Sequence, residues 1–150
     1  MARKILWILL IALVVIQFIP VNDDIPPYDA NDDIFNTEES STKVQTLVKG
    51  ACYDCHSYET TYPWYYKIAP VNFWLQDHIN HGRDELNFST WAQYPADRAA
   101  HKAEEAVELI EDKEMPLTSY TWVHKNARLS EDQRMTLVGF FKELQQQGGH

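Results

Sequence analysis

The tightest constraint on this chain is a run of five residues, Cys52-Tyr53-Asp54-Cys55-His56. Its two cysteines are the only ones in 150 residues. A disulfide scaffold of the kind that holds small secreted domains is therefore closed to it, and whatever the thiols do, they do locally. Two residues between cysteines is the spacing of a redox dithiol, of half a zinc site and of a haem attachment signal; the residue that follows separates the three. Here it is histidine.

With that histidine, the five residues have the pattern in which two thiols add across the vinyl groups of one haem as thioethers, and the adjacent imidazole is brought beneath the iron. One covalently held haem c on Cys52 and Cys55, with His56 as proximal ligand, is the expectation. Zinc is a remote alternative: it needs a second ligand pair, and His78 with His81 offers one at i, i+3. A redox dithiol expects a βαβ setting, and inert buried thiols give no reason for the histidine. Export, read from the first residues below, favours thioethers again, because loose thiols in an oxidising compartment tend to pair.

A sixth ligand is sought beyond the pentad. Met115 precedes Pro116 after a helical run, where a loop can return a thioether to the far face of the haem and raise its potential relative to two imidazoles. His78, His81 and His124 are the alternatives, while His101 and His150 are read as surface residues and Met135 as core. For the haem propionates, Lys67, Arg83 and Arg128 are the available cations.

The body around these residues reads as helices. Val44, Leu47 and Val48 recur at helical spacing ahead of the pentad; a second helix spans Val71 to His81 and stops at Gly82; a third opens at Pro95 and runs from Ala96 to Asp112. Ser130 with Gln133 forms a capping-box pattern before Leu137, Val138, Phe141 and Leu144, a fourth helix ending near Gly148. No segment alternates at period two for a useful length. The fold class is expected to be all-α, a bundle of about four helices around one haem over residues 42–150.

Ahead of it, residues 22–41 are rich in Asp, Asn, Pro, Glu and Ser and read as a polar tether. Arg3 and Lys4 precede an uncharged run from Ile5 to Ile19, broken only by Gln17. That layout is an export signal, and a helix over the run would be about 22 Å long against a hydrocarbon core of about 30 Å. Yet Pro20, Val21, Asn22 and Asp23 offer no small-x-small cleavage site, so residues 1–21 are read as an uncleaved inner-membrane anchor with the body in the periplasm. Release into the periplasm after cleavage is the alternative.

Charge narrows the partners. With 22 acidic against 13 basic residues the formal net charge is -9, which repels nucleic acid and suits a redox partner with a basic docking surface.

Several blocks in one order then resemble the bacterial haem-binding domain family, itself similar to small class I-like cytochromes c. They are the pentad, Pro63-Trp64-Tyr65, Ile68-Ala69-Pro70, Trp74-Leu75, Leu86-Asn87-Phe88-Ser89 with Trp91, Met115-Pro116, and Ala127-Arg128-Leu129-Ser130, and the resemblance runs from about Val44 to Leu144. It implies covalent haem, a proximal role for His56 and a distal role for Met115. Tyr62 stands where the family has tryptophan. Electron transfer, with no catalytic residue, is the function expected; a peroxidase-like enzyme with a distal histidine or a redox or gas sensor is the alternative.

Overall fold

The structure, a computed structural model, describes residues 1–147, so Gly148 and His150 lie outside the described residues. Among the described residues there is no strand. The helices are α1 (Ala2–Ile16), α2 (Ile34–Thr37), α3 (Thr42–Ala51), α4 (Tyr53–His56), α5 (Val71–Glu85), α6 (Ala96–Glu111), α7 (Thr118–Val123) and α8 (Glu131–Gln147), with 3-10 turns at Ala30–Asp32, Trp64–Lys67, Phe88–Gln93 and Lys125–Ala127. The fold is all-α, and α3, α5, α6 and α8 are the four helices that periodicity marks out.

Local chemistry sets their starts. Ser41 accepts the Val44 N–H at 3.3 Å to open α3. At α8 the capping box closes both ways: Gln133 N–H donates to Ser130 Oγ at 3.2 Å, and Ser130 N–H donates to Gln133 Oε1 at 2.8 Å. The core then forms where α6 lays Ala103, Val107 and Ile110 against Leu137, Phe141 and Leu144 of α8, with Val44, Leu47 and Val48 of α3 closing the side. Each such side chain, fully buried, contributes about 1.5–3 kcal/mol. Aromatic rings continue the core toward the pentad: Tyr53 stacks between Phe35 at 5.7 Å and Phe88 at 5.5 Å, and Phe88 lies 6.2 Å from Phe141.

Four expectations need correction. Helix α5 does not stop at Gly82 but continues to Glu85. The polar stretch is partly folded, since Ile34 is wholly buried and the buried Asp33 carboxylate takes the Tyr53 hydroxyl at 2.9 Å on both oxygens. Glu38 likewise accepts from the Trp91 indole at 3.0 Å. A tether reading missed this because the contacts come from isolated residues without period. Met135 is 64% exposed rather than core; two residues before Leu137, it falls on the far side of α8.

The amino-terminal run forms α1, 15 residues long with none buried, and no helix among the described residues is long and apolar enough to cross a membrane. The expected spanning segment over residues 1–21 is therefore a shorter helix that ends before Gln17. The Gln17 side chain then pairs with the body, donating to Ala69 O at 3.0 Å and accepting from Ala69 N–H at 3.0 Å.

Candidate functional site

The pentad occupies the corner where α3 gives way to α4. Cys52 still donates its N–H to Val48 O at 2.9 Å, then leaves helical geometry with φ -125°, and His56 N–H returns to Cys52 O at 2.9 Å. This one turn points His56 at the end of α5. Its Nδ1 lies 2.9 Å from Gly82 O and 3.0 Å from Leu86 O. Carbonyls only accept, so Nδ1 carries the proton and Nε2 is left as the lone-pair pole. Burial holds the imidazole below its ordinary pKa, opposed by those two carbonyls. A neutral ring with Nδ1 tied to backbone is the arrangement of a metal-ligating histidine.

Gly82 makes that contact possible. A Cβ on it would meet Cys55 O at 2.8 Å, so only glycine lets α5 come close enough for its carbonyl to reach His56. It is buried inside the helix, and no glycine among the described residues has positive φ. Its role is close approach, not termination.

Beside His56 opens a cavity of about 570 Å³, within the range of cofactor sites. Both cysteines, His56 and Met115 line it, among apolar walls from Ala51, Leu86, Phe88, Leu109, Ile110 and Phe141. The thiols are free. Burial, with the neighbouring Cys55, pushes Cys52 up to about 12, and burial with Asp54 pushes Cys55 up to about 11. Neither has the lowered pKa of a disulfide-exchange thiol. An apolar pocket with two neutral thiols and an oriented imidazole at one wall fits a haem, whose hydrocarbon the walls would hold and whose iron His56 Nε2 could bind.

Met115 arrives there on a fixed loop. At the end of α6, Lys113 takes φ 63°; its N–H donates to Ile110 O at 3.3 Å and Glu114 N–H to Leu109 O at 3.0 Å, the two bonds of a Schellman cap with lysine where glycine is usual. Met115 N–H also donates to Leu109 O at 3.0 Å. From α8, Arg134 Nη1 donates to Met115 O at 2.7 Å and to Ile110 O at 3.2 Å. Both backbone poles of Met115 are thus held.

The remaining candidates divide clearly. His78 and His81 line the cavity. His124 does not: its Nε2 is taken by the Tyr65 hydroxyl at 2.8 Å, and its ring stacks on Tyr120 at 4.0 Å. Arg83 is used on Ser57 O and Thr60 Oγ1, Arg128 on Thr121 O and Trp122 O, and Lys67 is exposed. None of these cations reaches the pocket. Lys102 does, paired with Glu105 at 2.8 Å and Glu85 at 3.4 Å at the rim. Among the described residues no three His, Cys, Asp or Glu side chains converge as a metal-ion site.

In the sequence Gly82 reads only as a helix stop, and Lys102, Arg134 and Asp33 carry no site assignment. A signal existed for Lys102, which lies among the small residues of the α6 face turned to the core; for the other three, the partner is set by tertiary approach alone.

Comparison with known proteins agrees with this geometry. No curated protein and no solved structure gives a significant match. A family model described as a haem-binding domain matches residues 11–143, a span that takes in the pentad, the Gly82 contact, the apolar cavity and the Met115 loop; the chain belongs to the haem-binding domain family.

Proposed function

We propose that this haem-binding protein is a c-type, monohaem electron carrier, similar to small class I cytochromes c, held at a bacterial inner membrane with its domain in the periplasm. The observation that carries this reading is the His56 ring, proton fixed on Nδ1 by Gly82 O and Leu86 O, in a cavity lined by Cys52, Cys55 and Met115. Cys52 and Cys55 supply the sulfurs for two thioethers, His56 the proximal nitrogen and Met115 the distal sulfur. The bound group supplies a one-electron iron couple.

The residues around it act as holders. Phe88, Leu109 and Ile110 exclude water from the pocket, Arg134 keeps the Met115 loop in place, and Lys102 at the rim is the cation within reach of propionates. With both His56 and Met115 given to the iron, no ligand position would be left for a substrate, which favours carriage over catalysis. Glu85, Glu105 and Glu108 at the cavity rim, on a chain of charge -9, suit a partner with a basic surface.

Replacing Met115 by Ala tests the ligand set. The oxidised wild type is expected to show a weak far-red sulfur-to-iron band and to bind carbon monoxide poorly. The variant should lose the band and bind carbon monoxide readily. An unchanged spectrum would reject Met115 and pass the position to His78 or His81.

A further inference from the structure

Gln17, the polar residue that interrupts the amino-terminal run, sits one residue past the end of α1 and clasps both backbone poles of Ala69. No spacer separates that helix from the folded body. Around the clasp, over one 3-10 turn and the first turn of α5, four large apolar side chains stand in solvent: Trp64 is 76% exposed, Ile68 43%, Val71 39% and Trp74 48%. Single exposed apolar residues are ordinary, but four within eleven positions, two of them tryptophan, are a patch.

The length of α1 says what covers it. Its 15 residues span about 22 Å, less than a hydrocarbon core of about 30 Å. Beyond Arg3 and Lys4 at its start it is apolar on all faces, with none buried, so it does not lie flat as an amphipathic surface helix does. Upright in a bilayer, a helix this short brings its carboxyl end to the level of the headgroups, and whatever is bonded to that end arrives there with it. Ala69 is bonded to it. Tryptophan is enriched at this depth, where its ring has both apolar and polar company, and exposed Lys67 in the same turn can extend its amine to lipid phosphate.

We propose that the segment from Trp64 to Trp74 is a seat in the phospholipid interface, pressing the haem domain directly against the bilayer that holds α1. The proposal rests on the membrane-anchored reading above and deepens it: the domain has one fixed face toward lipid instead of swinging on a tether.

The haem-loaded full chain in phosphatidylcholine vesicles doped with a diazirine phosphatidylcholine provides the test, with lipid adducts mapped by mass spectrometry. Adducts are expected on α1 and on residues 64–74, at least about fivefold above the level at Met135, which is as exposed but lies on α8. Adducts on α1 alone would overturn the seat and leave the anchor standing. Adducts on neither would overturn the anchor and the seat together. Adducts on α1 alone, together with dimers trapped through Lys67 by an amine-reactive bifunctional crosslinker, would assign the patch to a second copy and overturn the proposal.

Discussion

At the residue scale, the histidine of the pentad depends on a neighbour that has no side chain. Gly82 must let α5 approach Cys55 so closely that a Cβ would stand 2.8 Å from its carbonyl oxygen, and the contact is to backbone, which cannot swing aside. Gly82→Ala should therefore cost about 1–3 kcal/mol, as overpacked sites do, although alanine is the better helix former by about 1 kcal/mol. Because the displaced carbonyl is the one that holds Nδ1, the visible spectrum should change along with the denaturation midpoint; a stabilised variant with a native spectrum would show that the approach is not needed. Tyr62 is a second residue with a particular environment. Its ring lies tilted against Tyr66 at 4.3 Å and its hydroxyl is buried without a partner, a local cost of an unmade hydrogen bond.

At the element scale, the α6–α7 loop is built to hold one methionine still. The Schellman cap at Lys113 turns the chain, and Arg134 of α8 then grips the carbonyls of Ile110 and Met115. Arg134→Leu removes both hydrogen bonds while keeping much of the side-chain bulk, and should cost about 1–3 kcal/mol, chiefly through the Met115 carbonyl left unpaired, since Ile110 O keeps the Lys113 N–H. It should also raise carbon monoxide affinity by freeing Met115, whereas Arg134→Lys should restore part of the effect; a loss of stability with unaltered ligand binding would confine Arg134 to a structural role. The longer elements were legible because they repeat: Val44, Leu47 and Val48, or Ala103, Val107 and Ile110, span enough turns to show a period. Helices α2, α4 and α7 have four to six residues, too few for any period, and are set by tertiary contacts. Gly82 misled for a different reason, since a glycine that ends a helix and one that permits close approach look alike in sequence. That Cys52, Cys55, His56 and Met115 line one cavity agrees with their being named together from side-chain chemistry.

At the scale of the whole molecule, the cavity is the organising fact. It lies where α3, α4, α5 and α6 meet, and its walls are the same apolar faces that elsewhere pack against each other. These helices do not close on themselves, and a flat apolar group seated in the cavity would complete the core they lack. The polar segment joins in through Asp33 and Ile34, fastening the chain ahead of α3 to the pentad tyrosine. Covalent attachment through Cys52 and Cys55 is the claim on which the account depends, and acid-acetone extraction of protein from a maturation-competent host tests it most directly. The colour should stay with the polypeptide, and its alkaline pyridine spectrum should be that of a haem with both vinyl groups saturated. Colour that passes wholly into the acetone would contradict that attachment.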